Sequence, residues 1–459
     1  MSRSDRLYSA VVTRDPEAEA DLDDQVRADV PRNGIRLVGA HALQSSGDQT
    51  VNASTVLPWL FQAIGVPPAL TGLLVPIREA GSMLPQAMLT PLVLRVRRRT
   101  LVFVTGALVQ AVAVAAMALV AATGSGLGAG VAILAALAVF SLGRSLTSMS
   151  SKDVQGRTLP KGQRGQINGL STTAAGIVAI TLGAALRILG GGELGAGQIA
   201  WLLGAGAVLW VLTALVYAGI REPYDKPDKE ADDDANQAAA SHAQGATTEP
   251  GTTKSPGWLV ASVTLLREDK PFRGFVIVRS LLLVSALSPP FLVSLAMTSG
   301  AGELSGLGGF IIASGLSALL GGPVAGRLAD RSSRNLMAAG AGIASALLIA
   351  IVVATLLPGF DGASGWGVAL FVGSYFALTL IHTGVRVGRK TYLVDMAEGD
   401  QRTKYVAVSN SAMGIILLVA GALSSALSIL GVHWALVFLA GLGALGVLAA
   451  RRLPDVSAG

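Results

Sequence analysis

Asp48, Arg78 and Glu79 are the residues of this chain whose types and surroundings most need a chemical reason. Each sits in a stretch long enough to cross a bilayer, which takes about 20 helical residues. An ionisable group at membrane depth costs roughly a few kcal/mol or more, so it pairs, or faces a water-filled cavity, and usually serves a function. Two carboxylates against one guanidinium leave one negative charge uncompensated, and a proton can neutralise it. That is chemistry a proton gradient can drive. The plainer reading is a permanent Arg78–Asp48 or Arg78–Glu79 ion pair that fastens two helices together. The sequence does not rank Asp48 against Glu79.

Other polar residues share faces with these or repeat their pattern. Wound at about 100° per residue, the segment 35–64 places His41, Gln44, Ser45, Asp48 and Asn52 on one stripe. Ser82 and Gln86 lie on the same side as Arg78 and Glu79. Arg144 shares a face with Ser141, Ser145 and Ser148, and His382 shares one with Tyr375, Thr379 and Arg386. His41, Gln44, Asn52, Arg144, Arg279, His382 and Arg386 are therefore the candidates to line a central cavity. For each arginine the alternative is snorkelling to the headgroups, and for each histidine a hydrogen-bonded packing role. If Arg144, Arg279 and His382 face a common hollow, it is basic and suits an anionic group.

The elements that must position these residues are membrane helices. Hydrophobic residues make up 51% of the chain and charged residues 14%, against about 25% charged in a soluble domain. The net charge of +6 is spread over alternate loops, and aromatics are few, so nucleic acid is not an expected partner. No cysteine is present, which removes disulfides, thiolate metal sites and cysteine nucleophiles. Neither a Gly-x-x-x-x-Gly-Lys-Ser/Thr phosphate loop nor a His-x-x-x-His pair occurs, so no metal, cofactor or enzymatic chemistry is expected.

Apolar segments recur at 35–64, 68–94, 100–122, 127–154, 165–190 and 197–219, and again at 272–298, 304–328, 334–357, 364–388, 403–429 and 432–450. The expected organisation is a charged tail at 1–33 without a cleavable signal, a six-helix bundle at 34–220, and a disordered acidic linker at 221–257. An interfacial helix at 258–271, a second six-helix bundle at 272–450 and a tail at 451–459 follow. Arg95 to Arg99, Lys152 to Arg164, Arg327 to Arg334 and Arg389 to Lys404 fall in alternating loops, whereas the loops between them hold almost no Lys or Arg. The positive-inside rule puts the basic loops and both termini in the cytoplasm of a cell membrane.

The halves are related. A shift of 238 residues lays 151–177 over 389–415 without a gap, matching Lys152 with Lys390, Gln163-Arg164 with Gln401-Arg402, Ser171 with Ser409, Ala174 with Ala412 and Gly176-Ile177 with Gly414-Ile415. The same shift carries His41 to Arg279 and Arg144 to His382. Two six-helix repeats with a site between them are one way transporters are built.

After the eighth segment stands Gly326-Arg327-Leu328-Ala329-Asp330-Arg331-Ser332-Ser333-Arg334. It resembles the signature loop of the major facilitator superfamily, with Ser333 where a Gly is usual and Asn335 where a second basic residue is usual. Pro160 to Gly165, leading into Gly169, resembles the family's entry into its fifth helix. The first-half counterpart, Pro91 to Arg99, has the basic run but no Asp. The resemblance implies an all-α membrane fold of twelve helices in two pseudo-symmetric bundles, with Gly326, Asp330, Arg331 and Arg334 forming a cytoplasmic gate. It implies a monomeric secondary carrier in a lipid bilayer that moves a small solute, with protons as the expected co-substrate. A drug/proton antiporter is the alternative, and a non-transporting receptor or scaffold a distant one. A scaffold would gain nothing from costly buried charge.

Overall fold

The computed structural model describes residues 3–14, 16–20, 22–160, 163–189, 195–223, 258–300, 302–396 and 399–454. Among these, all regular structure is helical. A spanning chain in hydrocarbon must satisfy its own amides and carbonyls, and a helix does so within each segment. The first half holds α1 (Arg3–Val11), α2 (Pro16–Ala20), α3 (Asp24–Thr50), α4 (Val56–Ala63), α5 (Pro68–Thr71), α6 (Leu74–Met83), α7 (Pro85–Leu94), α8 (Arg99–Thr123), α9 (Gly126–Thr158), α10 (Gln163–Leu189) and α11 (Ala196–Ala218). The second holds α12 (Trp258–Glu268), α13 (Lys270–Leu281), α14 (Val284–Thr298), α15 (Gly302–Leu356), α16 (Gly365–Met396), α17 (Gly399–Ser428) and α18 (Val432–Ala450). Of the expected linker, only Arg221 to Pro223 are among the described residues.

These helices line up as twelve rods. α3 and α4 form the first, α5 to α7 the second, and α13 with α14 the seventh. Helical hydrogen bonding runs unbroken through α15, yet this element supplies two rods. Gly321 sits against Leu380 and Thr383, while Gly340 sits against Ile381 and Val385. Nineteen residues along a straight helix would separate those glycines by about 28 Å, so the chain doubles back between them. Among the described residues, eight helical stretches are long and apolar enough to cross a membrane, and Thr173–Ala185 and Leu307–Gly321 are shorter apolar runs. The two rods left over are the first and second, which carry Asp48, Arg78 and Glu79. Large apolar side chains such as Val112, Leu119, Trp201 and Leu215 are exposed on the outside, as contact with lipid requires.

Close approach of helices sets the orientation of the polar residues. A Cβ on Gly106 would lie 2.7 Å from the Gly143 carbonyl, and the reciprocal Cβ on Gly143 would lie 2.7 Å from the Gly106 carbonyl. Only glycine pairs allow α8 and α9 to cross this tightly. A Cβ on Gly81 would meet Ser141 at 2.7 Å, and one on Gly47 would meet the Trp210 indole nitrogen at 2.7 Å. α9 is thus wedged between α8 and α6, and α3 is pressed onto α11.

The charged segment ahead of the first rod folds onto it. α3 starts at Asp24, so the boundary expected at residue 33 falls inside a helix whose Val26, Val30 and Leu37 are buried. Tyr8 is fully buried against Gly34, and its hydroxyl donates to Gln163 Oε1 at 2.6 Å. Gln163 Nε2 donates to Glu19 Oε1 at 2.7 Å, and Arg14 Nη2 donates to Glu19 Oε2 at 2.5 Å. This clasp ties α1 and α2 to the start of α10, at the end of the bundle that carries the basic loops.

Candidate functional site

The first rod is broken between α3 and α4, and Asn52 occupies the break. Its carbonyl accepts from Leu57 N at 3.0 Å, and its Oδ1 accepts from Ser54 N at 2.8 Å. Asn52 therefore shapes the turn and does not line the cavity. One turn earlier, Asp48 receives two guanidinium groups from different helices. Arg144 Nη1, on α9, donates to both carboxylate oxygens at 2.5 and 2.6 Å, and Arg78 Nη2, on α6, stands 3.4 Å from Oδ1. The side chains of Asp48, Arg144 and Arg78 keep 17%, 29% and 16% of their surface exposed. They are sheltered from lipid yet reachable by water, as a working cavity requires.

Glu79, next to Arg78, points elsewhere. Among the described residues it has no cation within 4 Å, and its charged surroundings are Arg144 in its own half and Arg389 of the other half. The pairing open in the sequence thus takes a definite form. Arg144 and Arg78 share Asp48, and Glu79 is left facing the second half.

The cavity beside this cluster measures about 560 Å³. Its wall is formed by His41, Gln44, Ser45 and Asp48 of α3, by α9 from Arg144 through Ser148 and Ser151 to Gln155, by Ser171 and Ala175 of α10, and by Arg386 of α16. It runs from the middle of α9 towards the basic-loop end of that helix. His41 bridges two helices on this wall, with Nε2 3.1 Å from Ser151 Oγ and Nδ1 3.4 Å from Ser171 Oγ. Ser171 Oγ already donates to the Ile167 carbonyl at 2.8 Å, so it accepts from His41 Nδ1, and Nε2 is left to accept from Ser151. Both ring nitrogens of a neutral His41 are satisfied.

The second half contributes cations. Arg279 on α13 donates from Nη1 to Ser409 Oγ and from Nη2 to Asn410 Oδ1, both at 2.8 Å. His382 Nδ1 lies 3.3 Å from Ser285 Oγ. Neither Arg279 nor His382 belongs to the wall of the first-half cavity, whereas Arg386 does. Arg331 is exposed, and Arg334 Nη1 donates to the Leu453 carbonyl at 3.0 Å. Gly326 and Asp330 of the same loop lie outside the residues whose side-chain surroundings are described.

Two groups of residues were not singled out as cavity residues from the sequence. Ser151 and Gln155 extend the Arg144 face by further helical turns, a periodicity present in the sequence. Arg389 follows Arg386 by three residues and His382 by seven, so all three share a stripe. The sequence reading ended the tenth segment at 388 and counted Arg389 as a loop charge, but α16 continues to Met396.

Contacts between the halves gather away from the basic loops. Gln62 Nε2 of α4 donates to Ser294 Oγ of α14 at 2.9 Å. A Cβ on Gly72 would lie 2.7 Å from the Phe291 ring and 2.9 Å from Ser425, and one on Gly183 would lie 2.8 Å from the Gly308 carbonyl. Nearer the middle, a Cβ on Gly414 would meet Leu84 at 2.8 Å and one on Gly176 would meet Leu319 at 2.6 Å. The described contacts thus close the end opposite the basic loops.

With this geometry in place, comparisons with known proteins supply context. The family model described as Major Facilitator Superfamily matches residues 40–388 and 311–458, together spanning 40 to 458. No curated protein matches the chain. Solved structures share the fold at low identity. A D-xylose–proton symporter is 13% identical with a TM-score of 0.67, covering 92% of this chain and 98% of its own. The nucleoside transporter NupG is 13% identical with a TM-score of 0.66, covering 92% and 99%. A POT family transporter bound to a thioalcohol-conjugated peptide is 12% identical with a TM-score of 0.65, covering 91% and 95%.

Proposed function

Because the chain belongs to the Major Facilitator Superfamily, and so is a transporter rather than an enzyme, we propose that it moves a small organic solute by alternating access, coupled to protons through Asp48 and Glu79. The observation that carries this reading is the Asp48–Arg144–Arg78 cluster, whose Asp48 and Arg144 line a cavity of about 560 Å³, closed at one end by contacts between the halves. That volume lies within the range of about 300–1,000 Å³ typical of small-molecule sites. By the positive-inside rule the basic-loop end faces the cytoplasm, which makes this the inward-facing arrangement of a cell-membrane carrier.

In this scheme Asp48 is a switch. As a carboxylate it holds Arg144 and Arg78, which tie α3, α9 and α6 together. A proton on Asp48 removes the charge that holds both guanidiniums and frees them to reorient. Glu79 senses the charge of Arg389 in the other half and so responds to how closely the two halves approach. Protonation and closure are then linked, because Glu79 gains or loses its cationic neighbour Arg389 as the bundles rock, while a proton on Asp48 loosens α3, α6 and α9 beside it. Ser151 and Ser171 hydrogen-bond the two ring nitrogens of His41, so it braces the wall between α9 and α10.

Purified protein reconstituted in vesicles with an entrapped pH dye tests the proposal. Addition of a transported solute without an imposed gradient should move protons across the membrane, and an imposed proton gradient should drive the solute against its own. Solute uptake that ignores the proton gradient and moves no protons would overturn the coupling.

A further inference from the structure

The positive charges of the two halves are treated differently. In the first half, Arg78 and Arg144 share Asp48, Arg99 lies 3.5 Å from Asp153, and Arg157 lies 3.8 Å from Glu222. In the second half, among the described residues, Arg279, Arg386 and Arg389 have no carboxylate within 4 Å. The fork of Arg279 is held by neutral Ser409 and Asn410. Among the described residues, buried Nε of Arg279 and buried Nη1 of Arg389 lack a hydrogen-bond acceptor, as do the Nε atoms of Arg78 and Arg99 in the first half. Among the described residues, the charged neighbours of Arg389 are Arg279 and Arg386, with Glu79 of the first half as the opposing charge. Arg386 reaches the cavity wall, and Lys390 and Lys152 add positive charge from the two sides.

Arg279 and Arg389 are half-buried and Arg386 is exposed, and like charges gathered this way without a counter-ion are unstable on their own. A protein keeps them where an anion visits. Guanidinium groups present paired donors in a plane that matches the oxygens of a carboxylate or phosphate. Arg279 is not extended towards headgroups, because both its terminal nitrogens are fixed inward on α17. Resting on the carrier reading above, we propose that Arg279, Arg386 and Arg389 receive the anionic group of the transported solute, an organic carboxylate or phosphate. Glu79 is then the resident counter-charge nearest Arg389, unpaired at ion-pair distance, and the arriving anion takes its place as the partner of the arginines, between the halves.

Thermal unfolding of the purified full-length protein tests this, with succinate and inorganic phosphate titrated against chloride at equal ionic strength. At least one of the two anions should raise the unfolding temperature in a saturable way, and tetraethylammonium should not. Arg279→Gln and Arg389→Gln should each weaken the anion midpoint roughly ten- to hundredfold, the loss of one charge-assisted contact. Their unliganded unfolding temperature should stay the same or rise, because each removes a charge from a like-charged group. Arg389→Lys should recover part of the affinity.

Absence of stabilisation by both anions, or an anion midpoint unchanged in both glutamine variants, overturns the proposal. So does an Arg389→Gln variant that is merely less stable, which would assign the arginine a structural role. Stabilisation by phosphatidylglycerol in place of both soluble anions, dependent on the same arginines, would make this a lipid site and also overturn it. Vesicle flux separates the two readings. Proton-coupled movement of neutral or cationic solutes alone keeps the carrier and removes the anion site. Arginine-dependent anion binding without flux keeps the site and removes the carrier.

Discussion

Replacing Asp48 tests the ion pair at the centre of the first half. Arg144 Nη1 lies 2.5 and 2.6 Å from its two oxygens, and Arg78 Nη2 lies 3.4 Å from one of them. Unit charges about 4 Å apart attract by about 4 kcal/mol at an effective dielectric of about 20. Desolvation of both partners offsets much of that. The residual exposure of 17% for Asp48 and 29% for Arg144 admits water that screens the remainder. A net coupling of about 1–3 kcal/mol is the expected outcome. Asp48→Asn leaves two guanidiniums facing each other with no anion between them. It should therefore destabilise the protein more than the double variant Asp48→Asn/Arg144→Gln does. Denaturation of the four proteins of the cycle in one detergent measures the coupling, and vesicle assays on the same preparations measure transport. Asp48→Asn should lose gradient-driven uptake while retaining solute exchange. Single-variant effects that simply add, within about 0.5 kcal/mol, together with gradient-driven uptake retained in Asp48→Asn, would refute the reasoning.

Glu79→Gln should behave differently, because no described cation lies within 4 Å of Glu79. Its unfolding temperature should stay near that of the parent while the pH dependence of uptake flattens, which paired melting and flux curves check. The chain has no cysteine, so Gln62→Cys/Ser294→Cys can be joined by a short thiol-reactive crosslinker without a background. Crosslinking should stop transport by holding the end opposite the basic loops shut, and continued transport after full crosslinking counts against that end being a gate. The N-terminal clasp should have a definite pH window. Arg14 beside Glu19 holds the Glu19 carboxyl below its ordinary range, so its contribution is present above about pH 4.3 and is lost as pH falls through the lower folded value. Burial pushes the Tyr8 phenol up to about 12, so its contribution is full below pH 10 and fades towards 12. Hydrogen exchange of residues 5–20, corrected for intrinsic rates, should show protection flat between these limits and falling outside them.

The helical membrane fold could be read from the sequence, because a bilayer leaves a greasy segment little alternative to a helix. The polar face from His41 to Asp48 could be read too, since helical period alone assembles it. Which cation serves which carboxylate could not. Arg78 lies nearer to Asp48 in sequence than Arg144 does, but the glycine crossing of α8 and α9 and the wedge of Gly81 against Ser141 bring Arg144 closer in space. Such contacts depend on the rotation of each rod about its axis, which hydropathy does not specify. Asn52 fits the stripe by spacing and leaves it because the helix ends at Thr50. Arg389 looked like a loop charge because its neighbours Arg386 and Lys390 are also basic, and a run of basic residues marks a membrane edge as readily as a binding face.

The chemistry of the closed end suits a contact that must be undone in every cycle. Gln62 and Ser294 are neutral, and a neutral hydrogen bond contributes only about 0.5–1.5 kcal/mol net. The remaining closures are glycines laid against Phe291, Ser425 and the Gly308 backbone, which separate without exposing a charge. A seal of this kind sets the two orientations close in energy, and a bias of about 5.5 kcal/mol moves such an equilibrium from one extreme to the other. Neutralising Asp48, which releases two guanidiniums, and seating an anion against Arg279 and Arg389 together approach the size such a bias needs. The charged residues therefore belong in the cavity and not at the gate. A strong ion pair across Gln62 and Ser294 would lock the carrier in one orientation, and Gln62→Glu/Ser294→Lys should slow exchange while leaving solute affinity unchanged.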